Sequence, residues 1–215
     1  MSFNTPTIDT HIASIFDKLE KNSLVLDLGT SKRFAKEIAS YQSILEKNNY
    51  YALGYQPEKL FGQDSCDLSG DILQLPFKTS IADLVICIEV IEHVKNPFEA
   101  IAEIYRVTKP GGVVILTTPF LTAYHGKGTD TSDFSHASYP DFWRFTFQGL
   151  ETLFADFSTV EVIPFSNTYQ YLYRVITHSL GLKILCNPLV LNLLEKVQKL
   201  EVGVTTHRHL VIAKK

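Results

Sequence analysis

Residues 82–90, "ADLVICIEV", form a near-continuous apolar run, the pattern of a strand covered on both faces. That requirement limits the fold more than any other feature. A strand buried on both sides needs a layer above and a layer below, and segments of helical period on either side of this run supply them. "LVLDL" at 24–28 and "VVILTTPF" at 113–120 read as further strands. Ile8, Ile12, Ile15, Phe16 and Leu19 fall at helical spacing within 8–21, and Phe34, Ile38 and Tyr41 mark a second helix face. Residues 50–55, stopped by Pro57, predict the second strand, and Cys66–Leu68 a short third.

Asn96-Pro97 opens a helix with Phe98, Ile101, Ile104 and Tyr105 on one face, and "KPGG" is expected to end it with glycine at the C-cap. A helix over 146–157, a strand over 158–165, a mostly helical stretch over 167–200 and a last strand, "HLVIAKK", complete the pattern. Strands alternating with helices imply right-handed βαβ units and an α/β, doubly wound, mostly parallel sheet.

The 215 residues fit a single domain with a sizeable core, at 45% apolar and 20% charged. A net charge of −3, with lysine and arginine scattered, supplies no basic field for nucleic acid. Cys66, Cys87 and Cys186 share no CxxC spacing. A disulfide framework or a metal site is therefore not expected, and a reduced, cytoplasmic setting is the default. The first residues carry no apolar stretch of signal-peptide type. "HSLGLKILCNPLVLNLLEKV" is interrupted by Lys183 and Pro188, short of the roughly 20 apolar residues that span a bilayer. Residues 167–200 are expected either to cover a pocket or to form a homodimer surface.

In a doubly wound sheet, ligands bind beyond the carboxyl ends of the strands. Asp27–Arg33, Gly54–Pro57, Asp71–Pro76 and Ile88–His93 lie there, as does the polar stretch 121–145. At its length, that last stretch is expected to be a substrate-side loop. It holds His125, Asp130, Asp133, His136, Asp141 and Arg144, types suited to general-base work or to an ion pair. Phe142, Trp143, Phe145 and Phe147 are expected to anchor it to the core.

"VLDLG", "GDILQLPF", "ADLVICIEVIEHVKNPFEAIAEIYRVTKPGGVVILTTPF" and "DFWRFTFQGLETLF" together resemble the class I S-adenosylmethionine-dependent methyltransferases. The branch suggested is the small bacterial-type enzymes of glycan or small-molecule tailoring. The resemblance implies a Rossmann-like, seven-stranded sheet of order 3-2-1-4-5-7-6 with its last strand antiparallel. It also implies S-adenosylmethionine as cofactor and methyl transfer to a small-molecule or sugar-linked acceptor.

By the resemblance, Asp27 and Gly29, with Thr30 beside them, match the turn near the methionine part of the cofactor. Gly54 stands at the ribose end, Asp71 and Ile72 beside the adenine, and Glu89 near the sulfonium. His125 has the family-like distance from Pro119-Phe120 and His136 the family-like distance from Asp141, so either fits a catalytic base. An insertion of about eleven residues, "GKGTDTSDFSH", separates the two registers. His93, Asp141 and Arg144 fall on the substrate side.

Each position has a plainer reading. Asp27 and Asp71 can cap turns, and Glu89 and Glu92 can start a helix. His93 can pack or cap, sharing a side with Glu89 if that segment is helical, and Asp141 with Arg144 can form an ion pair that pins the loop. The chain also departs from the family pattern. Its first turn, "GTSKRF", keeps one glycine, and Gly54 stands where the family has an acidic residue, with Glu58 the nearest carboxylate. A family member that has lost catalysis and serves as a binding subunit is the alternative expectation.

Overall fold

The structure, a computed structural model, describes residues 8–30, 39–55, 66–122, 140–165, 189 and 206–215. Its strands are β1 (Leu24–Leu28), β2 (Asn49–Gly54), β3 (Leu68–Ser69), β4 (Ala82–Ile88), β5 (Thr108–Pro119), β6 (Thr159–Phe165) and β7 (Arg208–Lys214). They form one sheet of order β3-β2-β1-β4-β5-β7-β6. β1 to β5 run parallel, and β7 is antiparallel to both β5 and β6.

Side-chain alternation along the central strands builds two cores. Leu26, Leu28, Val85, Cys87, Leu116 and Val211 belong to one. It is closed by helices α3 (Pro97–Val107) and α4 (Phe147–Leu153), through Ile101, Ile104, Leu150 and Leu153. Val25, Leu84, Ile86, Ile115 and Leu210 belong to the other, under α1 (Ile8–Phe16) and α2 (Ala39–Lys47) through Ile12, Phe16, Tyr41 and Ile44. The doubly wound expectation thus has a direct cause: residues i and i+1 of each central strand face different helical layers.

Element ends differ from the sequence reading in instructive ways. α1 stops at Phe16, because Lys18 and Leu19 make three-residue turns and Asn22 takes φ 64, reversing the chain into β1. β3 lies at Leu68–Ser69 instead of at Cys66–Leu68. α3 starts as expected, with Asn96 accepting from the Glu99 amide and Pro97 in the first turn.

The end of α3 is not the expected glycine cap. Thr108 takes extended backbone, and its hydroxyl donates to the Ile104 carbonyl at 2.6 Å, so the helix ends one residue before "KPGG". Gly111, at φ 81, sits inside β5 where its register against β4 shifts between Thr108 and Val113, and its amide donates to the Lys215 carbonyl at 2.7 Å. α4 covers only part of the expected 146–157, starting at a Thr146 side chain that accepts from the Gly149 amide. The helical expectation for 167–200 lies outside the described residues apart from Leu189.

Candidate functional site

The carboxyl ends of β1, β2 and β4 meet around Gly29. Its φ of 75 turns the chain, and its amide donates to the Leu53 carbonyl at 2.7 Å. A Cβ there would lie 2.4 Å from Val90 Cγ2. Glycine at 29 is therefore required by packing against Val90 as well as by φ. The next residue is tied down by its backbone, since the Cys66 thiol donates to the Thr30 carbonyl at 3.0 Å. Residues 31–38, including Lys32 and Arg33, and the carboxylate Glu58 lie outside the described residues.

Asp27, second-last in β1, is 1% exposed. The Tyr50 hydroxyl donates to its Oδ2 at 2.6 Å, while Oδ1 is buried with no hydrogen-bond partner. Burial pushes the Asp27 carboxyl up to about 7, and the Tyr50 hydrogen bond only partly offsets this. Burial and the neighbouring Asp27 hold the Tyr50 hydroxyl firmly protonated. Asp27 thus does not cap the following turn. It faces a buried tyrosine that only the strand register brings beside it.

Gly54 is buried at the end of β2, and its carbonyl accepts from the Gly70 amide at 3.0 Å. Asp71 is exposed, and its Oδ1 accepts from the Leu73 amide at 2.9 Å, so part of this carboxylate holds its own turn. Ile72 packs into the α3-side core.

Glu89 follows directly on β4 with φ 54, unusual for a residue with a side chain. Its amide donates to the Thr117 carbonyl at 3.1 Å and contacts the Thr117 hydroxyl at 3.2 Å. Its Oε2 lies 3.5 Å from Arg208 Nε, and its Oε1 is buried without a partner. The turn at Glu89 precedes a single 3-10 turn over Ile91–His93, so Glu89 and His93 share no helix face.

Glu92 is wholly buried, and burial reinforced by Glu89 pushes its carboxyl up to about 8. His93 Nδ1 lies 2.6 Å from the Pro140 carbonyl, an acceptor, so that nitrogen carries the proton. The Phe142 amide donates to the Glu92 carbonyl at 2.8 Å, and Trp143 Nε1 to the Val94 carbonyl at 2.9 Å. These three contacts dock residues 140–143 against the turn after β4. Trp143 stays 39% exposed, so its anchoring rests on this hydrogen bond and on stacking with Phe145, the more buried of the two.

Asp141 and Arg144 form a two-pronged pair, with Nη1 to Oδ1 at 2.5 Å and Nη2 to Oδ2 at 2.7 Å. Arg144 Nε also donates to the Thr122 carbonyl at 3.2 Å. The pair therefore joins the start of the 121–145 stretch to its end. The two histidines expected as bases, His125 and His136, lie outside the described residues, as do Asp130 and Asp133.

Sequence reasoning missed Tyr50 and Arg208. The signal for the second was present: "THRHL" puts polar residues at the head of an apolar strand, and an antiparallel last strand starts at the carboxyl edge of its neighbours. Two buried carboxylate oxygens without donors among the described residues, Asp27 Oδ1 in β1 and Glu89 Oε1 just after β4, lie at the edge where the Gly29 turn sits. Such acceptors suit a ligand that brings cationic or N–H and O–H groups. Among the described residues no group of histidine, cysteine or carboxylate side chains could hold a metal ion. No described helix is long and apolar enough to cross a membrane.

Residues 26–116 match the methyltransferase-domain family. An uncharacterised protein of Methanocaldococcus jannaschii is 32% identical over 120 residues, 54% of this chain and 50% of that protein. The chain thus spans about half the length of that relative. A solved S-adenosylmethionine-dependent methyltransferase from Archaeoglobus fulgidus superposes with a TM-score of 0.56 at 15% identity, covering 97% of this chain and 93% of its own. A methyltransferase solved with the Trm112 activator from Haloferax volcanii superposes equally well, 0.56 at 16% identity over 95% and 87% of the two chains. Strand order, an antiparallel β7 and the domain match over the first five strands agree: the chain has the fold of the solved S-adenosylmethionine-dependent methyltransferases, and residues 26–116 carry a methyltransferase-domain match.

Proposed function

We propose that this protein transfers a methyl group from S-adenosylmethionine to a small-molecule or sugar-linked acceptor. The observation that carries the reading is Glu89. It holds a left-handed backbone at the end of β4 and a buried carboxylate oxygen with no donor. The first feature costs about 1–3 kcal/mol and the second a similar amount. A chain retains both where a ligand offsets them.

S-adenosylmethionine, when bound, supplies an electrophilic methyl carbon whose leaving group is a neutral thioether. On this reading Glu89 faces the positive end of the cofactor. Asp27, Gly29 and Thr30 take the methionine part, and Gly54 borders the ribose. Asp71 and Ile72 border the adenine, with Asp71 offering the carboxylate oxygen that its own turn leaves open. The acceptor enters beside residues 121–145, where His93 holds Pro140 at the turn after β4 and Arg144 ties Asp141 to Thr122. His125 or His136 takes the proton if the acceptor atom is a hydroxyl oxygen. Most of the acceleration then comes from holding acceptor and methyl carbon in line.

Thermal shift and calorimetry with S-adenosylmethionine and S-adenosylhomocysteine test the reading. A ligand at 100 times its dissociation constant stabilises the fold by about 2.7 kcal/mol. Glu89→Gln is expected to weaken binding about tenfold, the loss of one charge-assisted hydrogen bond. Absence of any shift or heat with either compound overturns the proposal.

A further inference from the structure

We propose that Arg208 is the residue that binds an anionic group, carboxylate or phosphate, on the acceptor. The inference rests on the methyl-transfer reading above and names the class of acceptor.

The three arginines of the described residues differ in their commitments. Arg106 donates twice to Glu103 and also to the Phe77 and Leu75 carbonyls. Arg144 donates twice to Asp141 and also to the Thr122 and Trp143 carbonyls. Both are structural clamps whose planar forks are used. Among the described residues Arg208 makes no side-chain hydrogen bond: its one ionic contact there is Glu89 Oε2 at 3.5 Å, and its buried Nε has no partner among them. Its side chain is 41% exposed. A guanidinium with its donors uncommitted is matched in shape and charge to a carboxylate or a phosphate.

The backbone beneath it is fixed. The Thr206 hydroxyl donates to the Arg208 carbonyl at 2.5 Å and accepts from the Arg208 amide at 3.2 Å. The adjacent His207 carbonyl accepts from the Phe120 amide at 2.7 Å and from the Thr122 hydroxyl at 3.2 Å. Arg208 is thus held firmly at its root and open at its tip, an arrangement that lowers the ordering cost of binding.

Its place in the sheet separates the acceptor from the cofactor. The proposed cofactor residues run from Glu89 through β1 to β2 and the turn after β3. Arg208 opens β7 on the other side of β5, opposite Pro119, at the root of the 121–145 stretch. An anion held there sits next to Glu89 without displacing the cofactor residues. If Glu89 faces the positive end of the cofactor, its carboxylate would balance that charge and the Arg208 guanidinium would remain for the acceptor.

The test uses the full chain with saturating S-adenosylhomocysteine, titrated with sodium phosphate and with sodium acetate against sodium chloride at equal ionic strength, read as Tm. Wild type is expected to be stabilised saturably by one of the two anions, and the tighter one assigns the acceptor's group as phosphate or carboxylate. Arg208→Gln is expected to raise the half-saturating concentration about tenfold, and Arg208→Lys by less, because it keeps the charge and loses the fork. Calorimetric affinity for S-adenosylhomocysteine is expected to stay within about threefold in both variants.

The proposal is overturned if neither anion acts beyond chloride, or if Arg208→Gln responds as wild type does. It is also overturned if Arg208→Gln loses S-adenosylhomocysteine binding, which would make Arg208 a cofactor residue. If wild type fails to bind S-adenosylhomocysteine, the same titration on the free protein still reads the anion site. The methyl-transfer reading then falls separately.

Discussion

Gly29→Ala tests whether the first turn is shaped by packing. The substituted residue must hold φ 75, which costs about 1–2 kcal/mol for a residue with a Cβ. Its methyl would also lie 2.4 Å from Val90 Cγ2 and 3.1 Å from Cγ1, well inside contact distance. Overpacking of this kind costs about 1–3 kcal/mol, so the expected total is about 2–5 kcal/mol. Val90→Ala removes both clashing methyls and leaves Val90 Cβ at 3.3 Å, tight but tolerable. The double variant Gly29→Ala/Val90→Ala should therefore be less destabilised than the sum of the single variants by about 1–3 kcal/mol. Urea denaturation of the four proteins without ligand measures the cycle. A Gly29→Ala loss below about 1 kcal/mol, or additivity within about 0.5 kcal/mol, would refute the packing argument.

Three further outcomes follow from buried charge. Arg144→Ala takes the two-pronged partner from Asp141, whose side chain is 1% exposed, and should cost about 3–5 kcal/mol in urea denaturation, with Arg144→Lys costing less. Asp27 has a folded pKa of about 7 against an ordinary 3.8, so the folded state binds the extra proton. Stability from this group is full below about pH 4 and is lost as pH rises through about 7. Asp27→Asn should gain about 2–4 kcal/mol on wild type between those limits, and parallel stability–pH curves would rule this out. His209 is fully buried with neither ring nitrogen bonded, and burial lowers its pKa below 6.5. Its stability is present above pH 6.5 and lost as pH falls through the lowered folded value, so His209→Leu should lose less stability than wild type between neutral and acid pH.

What could be read from the sequence was local or periodic. The β4 run dictated a strand with cover on both faces, and the i,i+3 spacing of Asp141 and Arg144 foretold their pair. The Asp-Leu-Gly turn was legible because one glycine after an apolar strand has few other uses. Contacts set by register were not legible. Tyr50 meets Asp27 only because Val25 pairs with Tyr50 in adjacent strands. Arg208 meets Glu89 only because β7 runs antiparallel beside β5. Nor does a sequence announce that a glutamate will hold a left-handed backbone, since composition favours glycine there. The "KPGG" misreading has a local cause: the Thr108 hydroxyl and amide both take the Ile104 carbonyl and end the helix before the glycines are reached.

The clasp of Arg144 on Thr122 and Asp141 separates inheritance from novelty in this fold. Thr122 and Asp141 are thus fixed to one another through Arg144, independently of the residues between them. Closing a chain segment between fixed ends costs in general only about 0.6 kcal/mol more for each doubling of its length. An insertion between Thr122 and Asp141, exchanged with these residues as its end points, should therefore change stability in urea denaturation by no more than about 1 kcal/mol. A chimera exchanged at those points should fold like its parent and, under the methyl-transfer proposal, take a different acceptor.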